Sequence, residues 1–299
     1  MNYQFDYAVI GGDMRQVYLA EELAHHSNRI CHYALCAVPD QRRCSDTSFI
    51  AAAGSPAEIC SASPCIICPV PFSRNGNFLN QSAFDETLSI NLLLSHMMPG
   101  QFLFAGCIPE DFRLKASEKG VHVFDLMQNP SLSHFNSIAT AEGAICEAIR
   151  QSPLNLHHSS CAVLGYGKCG TTLSYYLKGM FCNLYAASNQ EEECAKAALI
   201  ADRTGTLKDF EACVGDFDFI FNTIPSTVIT SRLLAGMKST VTIIDIASAP
   251  GGVDFTAAGR LGINARLYPG LPGKYAPLSS ARTIKETIEK ILKEDSECL

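Results

Sequence analysis

The segment C-A-V-L-G-Y-G-K-C-G at 161–170 constrains this chain more than any other stretch. A short apolar run, 161–164, enters a turn carrying Gly165, Gly167 and Gly170, and a helix-compatible segment follows at 171–178. Strand, G-x-G-x-x-G and helix in that order form the fingerprint of a dinucleotide-binding α/β unit. Each glycine has its own reason. Gly165 permits the tight turn, Gly167 lets the backbone approach a pyrophosphate, and Gly170 lets helix and strand pack closely. The free N–H groups at the helix start then face the phosphates. Tyr166, Lys168 and Cys169 complete the turn and are counted with the glycines as cofactor contacts.

The rest of the chain alternates in the same way. Apolar runs at 161–164, 183–187, 217–222, 241–246 and 265–268 read as strands, with helical segments at 171–178, 191–201, 227–237 and 254–261. Ahead of them, 6–10, 30–37, 65–70, 101–106 and 121–125 read as strands, with a helix after Gly12. Segment 135–149 reads as a connecting helix with Asn136 or Ser137 as its N-cap. A last amphipathic helix at 279–293 carries Ile284, Ile288 and Ile291 on one face. The expected fold is α/β and two-domain: a C-terminal Rossmann-type doubly wound parallel sheet plus an N-terminal parallel α/β domain, with a cleft between. The expected divisions are an N-terminal domain at 1–135, a connecting helix at 136–152, the dinucleotide-binding domain at 153–272, and a segment at 273–299 that packs back on the first domain.

Composition narrows the function classes. The chain has 299 residues and a net charge of -7, with no basic run or basic-aromatic patch, so nucleic acid is not the expected partner. No apolar stretch reaches the ~18 residues of a membrane span, and the N-terminus lacks the basic-then-apolar pattern of a secretion signal, so a cytoplasmic protein is expected. Fourteen cysteines scattered through apolar segments read as reduced thiols used as small hydrophobes. Cys65 and Cys68 form a C-x-x-C inside an apolar run, but no second pair accompanies them, and Cys44 and Cys60 complete no zinc spacing. Neither His25-His26 nor His157-His158 has ligand spacing, so no metal is expected.

The residue that reads the adenosine ribose belongs at the tip of the second strand. Here that tip is A-A-S-N-Q at 186–190, with no acidic residue to hold an NAD 2'-hydroxyl and repel an NADP 2'-phosphate. Ser188 and Asn189 can donate to a phosphate and Lys168 can add charge, so the pattern points to NADP over NAD. Thr223, Ile224 and Pro225 after the third strand, and Ala247 after the fourth, fall at strand ends beside the expected nicotinamide position.

Five segments together resemble the A subunit of dipicolinate synthase: I-G-G-D-M-R-Q at 10–16, N-S-I-A-T-A-E-G at 136–143, N-T-I-P-S at 222–226, D-I-A-S-A-P-G-G-V-D-F at 245–255 and P-G-L-P-G-K-Y-A-P at 269–277. The likeness runs in order along nearly the whole chain. It implies the last step of dipicolinate formation in the mother cell of a sporulating bacterium: a dihydrodipicolinate-type cyclic imine, drawn from the lysine pathway, is oxidised with a nicotinamide cofactor. It also implies a partner, the family's separate flavoprotein-like B subunit. A homo-oligomer is expected. This chain departs from the family in having no arginine beside Ser188 and in having Ala139 where the family has proline.

Such a substrate carries two carboxylates. Arg15 is the first candidate to hold one, because a guanidinium matches a carboxylate with two parallel hydrogen bonds; Gln16 stands beside it. Lys274, or free N–H groups near Ser137 and Thr140, are candidates for the second. Glu142, Asp13 and His134 are candidates to take the proton that leaves with the hydride. Two other readings stay open: another two-domain NAD(P)-dependent dehydrogenase of hydroxy or keto acids, and a non-catalytic NAD(P)-binding subunit.

Overall fold

The computed structural model describes residues 3–24, 28–40, 49–84 and 86–297; His25, His26 and Cys44 lie outside the described residues. By contacts the chain divides into unit 1, Met1–Phe135 with Ala276–Leu299, and unit 2, Asn136–Tyr275.

Unit 1 is built on β1 (Tyr7–Ile10), β2 (Arg29–Tyr33), β3 (Phe49–Ala52), β4 (Cys65–Ile67), β5 (Phe102–Ala105) and β6 (His122–Asp125). Its first four helices are α1 (Met14–Ala24), α2 (Pro56–Ala62), α3 (Ile90–His96) and α4 (Glu110–Glu118). Helix α5 (Pro130–Gln151) runs from unit 1 into unit 2. Unit 2 then alternates β7 (Ser160–Leu164), α6 (Lys168–Gly179), β8 (Asn183–Ala187), α7 (Glu191–Ala197), β9 (Arg203–Gly205), α8 (Leu207–Ala212), β10 (Phe219–Asn222), α9 (Ser231–Ala235), β11 (Thr242–Asp245), α10 (Phe255–Leu261), β12 (Asn264–Leu267) and α11 (Leu271–Tyr275). The chain returns to unit 1 with α12 (Pro277–Glu297).

Among the described residues each unit holds one six-stranded sheet with every pairing parallel, ordered β3-β2-β1-β4-β5-β6 and β9-β8-β7-β10-β11-β12. The α/β class expected from the sequence is therefore observed, and unit 1 repeats the strand order of a Rossmann sheet without its glycine fingerprint. In such sheets the chain reverses its direction of winding between the first and fourth strands, and ligands bind at the carboxyl ends there. That switch point lies between β1 and β4 in unit 1 and between β7 and β10 in unit 2.

Both sheets are apolar on both faces, as parallel sheets covered by helices must be. Successive residues of β1 alternate: Ala8 and Ile10 pack with Ile59, Leu93 and Phe112, while Val9 packs with Leu19, Leu23, Ile284 and Ile288. The second group shows where α12 goes. Its isoleucines lie on α1, and Arg282 donates to Glu22 at 3.1 Å. In β7, Ala162 and Leu164 face Phe210 and Leu233, and Cys161 and Val163 face Leu173, Leu177 and Ala144.

Several elements differ from the sequence reading. Helix α5 begins at Pro130 rather than near 136, because Asn129 accepts from Leu132 N–H at 3.0 Å and proline suits the first helical position. Helix α6 begins at Lys168, inside the glycine turn. Strand β3 and helices α2 to α4 of unit 1, and β9, α8 and α11 of unit 2, are not expected from the sequence; they fill stretches between the apolar runs.

Candidate functional site

In unit 2, β7 ends at Leu164 and Gly165 turns the chain with φ +85°. A side chain at Gly165 would meet Thr223 Oγ1 at 2.4 Å, and one at Gly170 would meet the Gly165 carbonyl oxygen at 2.1 Å. These two glycines are required by the protein's own packing. Gly167 is different: it is exposed, and the nearest atom to an added Cβ is Glu193 Oε1 at 3.9 Å. The protein leaves that space open. Gly167 is also the N-cap of the twelve-residue helix α6, and no side chain caps it. The first N–H groups of the helix thus present positive partial charge beside an open glycine. Lys168 is exposed on the same turn; Cys169 is half-buried, and burial pushes its thiol up despite the opposing charge of Lys168. Tyr166 has its ring buried with Ala186 and Ala197, and Thr171 donates its hydroxyl to the Tyr166 carbonyl at 3.0 Å.

At the tip of β8 the geometry corrects the sequence reading. Ser188 was expected as a free donor to a 2'-phosphate. It is 4% exposed, and its hydroxyl donates to Glu193 Oε2 at 2.6 Å while accepting from Gln190 N–H at 3.1 Å. Asn189 is exposed, but its Oδ1 accepts from Leu207 N–H at 3.2 Å. The tip itself carries no acidic residue, but one lies close to it in space. Glu193, from the first turn of α7, brings a carboxylate back to the glycine turn, where Oε2 accepts from Tyr166 N–H at 3.0 Å.

Across the switch point, Thr223 donates both its N–H and its hydroxyl to the Leu164 carbonyl, each at 2.9 Å. Ile224 is half-buried, Pro225 exposed and Ala247 buried. The residues that organise these loops are Asn222 and Asp245, fully buried register partners at the ends of β10 and β11. Asn222 Nδ2 donates to Asp245 Oδ1 at 2.9 Å and to the Ile224 carbonyl at 2.9 Å. Asp245 also accepts from Ala247 N–H at 3.0 Å and Gly252 N–H at 2.7 Å. Sequence reasoning missed the pair, although a polar residue closing each of two apolar strands was the available signal.

In unit 1 the switch point is occupied by Asp13, Arg15 and Gln16. Arg15 Nε and Nη2 donate to the two Asp13 carboxylate oxygens at 2.9 and 2.8 Å, and Nη2 also donates to the Val70 carbonyl. Gln16 Nε2 donates to the Cys68 carbonyl at 3.0 Å. Both side chains are nearly inaccessible, with Arg15 at 4% and Gln16 at 1% exposure. They tie the start of α1 to the segment after β4. Asp13, expected as a proton acceptor, is instead the two-oxygen partner that fixes Arg15. Of the guanidinium nitrogens, Nη1 has no partner among the described residues.

The candidates on α5 and α11 take other roles. Ser137 and Thr140 lie inside α5, so their N–H groups belong to the helix ladder and are not free for an anion. Their hydroxyls are also engaged, Ser137 with Thr172 Oγ1 at 2.8 Å and Thr140 with the Asn136 carbonyl at 2.8 Å. Lys274, the other expected anion site, is ion-paired with the buried carboxylate of Glu147. Glu142 is exposed and accepts from the Tyr176 hydroxyl at 3.1 Å; His134 is exposed. Cys65 and Cys68 are buried, and burial pushes both thiols up.

Comparison with known proteins agrees on one family. The family model for the N-terminal domain of the A subunit of dipicolinate synthase matches residues 6–127. The dipicolinate synthase A subunit of Bacillus subtilis (strain 168) is 31% identical over 226 residues, covering 75% of this chain and 72% of that protein. The crystal structure of the dipicolinate synthase A subunit from Bacillus halodurans superposes with TM-score 0.80 at 25% identity, covering 98% of this chain and 99% of that one. The crystal structure of a transhydrogenase from Sinorhizobium meliloti shares the fold, with TM-score 0.67 at 15% identity over 94% of this chain and 89% of its own.

Proposed function

The chain belongs to the family of the dipicolinate synthase A subunit, and on that premise we propose that it is an NAD(P)-dependent oxidoreductase converting a dihydrodipicolinate-type cyclic imine to dipicolinate. The observation that carries the reading is the open Gly167 at the uncapped N-terminus of α6, on the switch point of a Rossmann-ordered sheet. Packing explains Gly165 and Gly170. It does not explain Gly167, whose missing side chain leaves room for a pyrophosphate at the N-terminus of α6.

The bound dinucleotide would supply the hydride acceptor. Gly165, Tyr166, Gly167, Lys168, Cys169 and Gly170 would hold its phosphates, and Thr223, Ile224, Pro225 and Ala247 would border its nicotinamide end. Asn222 and Asp245 hold the two loops that carry those last residues. In unit 1, Arg15 would receive a substrate carboxylate through Nη1, with Asp13 fixing the guanidinium plane. The reaction removes a hydride and a proton from neighbouring ring positions and leaves an aromatic pyridine. Aromatisation drives it, so a weak or solvent base suffices for the proton.

A non-catalytic, dinucleotide-binding subunit is the second reading. It is favoured by Asp13 being tied to Arg15 and Glu142 to Tyr176, which leaves neither as an unengaged base. One assay separates the two. Dihydrodipicolinate is generated in the cuvette with NAD or NADP, and reduced nicotinamide is followed with and without the family's flavoprotein-like B subunit. Turnover by the chain alone supports the first reading. Dinucleotide binding without turnover, even with the B subunit present, supports the second.

A further inference from the structure

Resting on the reading of unit 2 as a dinucleotide site, we propose that Glu193 receives the adenosine ribose and selects NAD over NADP. Its carboxylate stands where the ends of β7 and β8 meet the glycine turn. Oε2 accepts from Tyr166 N–H at 3.0 Å and from the Ser188 hydroxyl at 2.6 Å. Oε1 has no hydrogen-bond partner among the described residues and lies 3.9 Å from where a Cβ on Gly167 would stand. One oxygen is anchored to the protein and the other faces the space that Gly167 leaves open.

The anchoring is specific. Ser188 Oγ accepts from Gln190 N–H at 3.1 Å, so its single proton is directed to Glu193. Helix α7 is held at the same place by Cys194, whose thiol donates to the Ser188 carbonyl at 3.1 Å, and by Ala197, which packs with Tyr166 and Ala186. Lys196, one turn below, is occupied with Glu192 at 2.6 Å.

In dinucleotide-binding sheets the adenosine ribose lies between the glycine turn and the tip of the second strand. A carboxylate there is an acceptor only. It takes a charge-assisted hydrogen bond from a ribose 2'-hydroxyl, which NAD has. NADP carries a phosphate of nearly two negative charges at that position, and a like charge held in place opposes it. The usual acidic residue sits on the strand tip itself. Here the tip is Ala187-Ser188-Asn189, and the acid arrives from the next helix, with Ser188 serving to orient it.

The test is calorimetric titration of the native chain, Glu193→Gln and Ser188→Ala with NAD and with NADP, each variant first checked by circular dichroism and thermal melting. The native chain should bind NAD at least tenfold more tightly. Glu193→Gln keeps the size and the Tyr166 contact but removes the charge, so the NAD-to-NADP affinity ratio should fall roughly tenfold or more. Ser188→Ala loosens the carboxylate and should lower the ratio by a smaller factor. Equal or tighter NADP binding by the native chain, or an unchanged ratio in Glu193→Gln, would overturn the role of Glu193 while leaving the dinucleotide site in place. Absence of binding by both dinucleotides to a folded native chain would remove the site itself, and the proposal with it. Should Glu193→Gln fail to fold, the native ratio and Ser188→Ala still decide.

Discussion

Tyr275 donates its hydroxyl to Glu147 Oε1 at 2.6 Å, joining α11 to the C-terminal end of α5 across a carboxylate that is 1% exposed. Lys274 pairs with the same oxygen, and Arg150 Nη1 reaches it at 3.6 Å and the Tyr275 hydroxyl at 3.3 Å. Burial alone would push the Glu147 carboxyl up. The hydrogen bonds from Lys274 and Tyr275 and the charges of Lys274 and Arg150 outweigh it, so the net shift is downward.

That direction fixes a pH dependence. A depressed carboxyl contributes stability that is fully present above its unfolded value of about 4.3 and is lost as pH falls through its lower folded value. Glu147→Gln should therefore cost roughly 1.5–3 kcal/mol at neutral pH and flatten the loss of stability on acidification. Urea unfolding of both proteins at pH 7 and below pH 4 measures it. An equal acid loss in the two would assign that loss to other carboxylates.

The three turn glycines should separate by assay. Gly170→Ala forces a Cβ onto the Gly165 carbonyl, 2.1 Å away, and should destabilise the chain by about 1–3 kcal/mol. Gly167→Ala meets nothing closer than 3.9 Å and its φ of -69° suits any residue, so its melting temperature should stay near the native one. Similar destabilisation by both would remove the distinction between packing and ligand space.

Gly167→Asp extends the same contrast to binding. The fold should survive, while a carboxylate in the phosphate position should weaken dinucleotide binding roughly a hundredfold, or about 2.7 kcal/mol. Calorimetry on the folded variant checks this, and unchanged affinity would move the cofactor away from the turn.

Arg15→Ala removes three side-chain hydrogen bonds and leaves the Asp13 carboxylate without its ion-pair partner, holding only the backbone N–H of residue 15 among the described residues, so a loss of about 2 kcal/mol in stability is expected. Dipicolinate affinity should fall at least tenfold, and dinucleotide affinity should stay. Arg15→Lys keeps the charge but loses the planar fork, so it should fall between. Dipicolinate binding that survives Arg15→Ala in a folded protein would place carboxylate recognition elsewhere.

These residues also show what a sequence makes legible. The glycine turn could be read because its spacing follows directly on an apolar strand, and β8 because 184–187 is a buried apolar run. Strand β3 was hidden because it is a short edge strand, with Phe49 and Ala52 exposed. Asn129-Pro130 is a helix start in one dipeptide, yet the longer apolar pattern beyond 135 drew the boundary too late. Arg15 stands out in the sequence as a cation just after the first strand; that its fork is closed by Asp13, two residues away, depends on side-chain geometry that spacing does not encode. The place of Glu193 beside the glycine turn is hidden for a similar reason. The rule names a strand tip, whereas the carboxylate comes back from a helix, and only three dimensions join it to Tyr166.

The order of the chain through the two units has a consequence for how the molecule is made. Unit 2 is one continuous stretch, Asn136–Tyr275, inserted into unit 1, whose last helix follows it. A ribosome delivers every strand of unit 2 before Ile284 and Ile288 exist to cover Leu19 and Leu23 on α1. Nascent chains fold by complete units, so the unit that starts second can finish first. Until α12 emerges, the apolar cluster shared by α1 and the first-made sheet waits only partly covered, and that interval leaves the growing polypeptide open to aggregation or to capture by a chaperone.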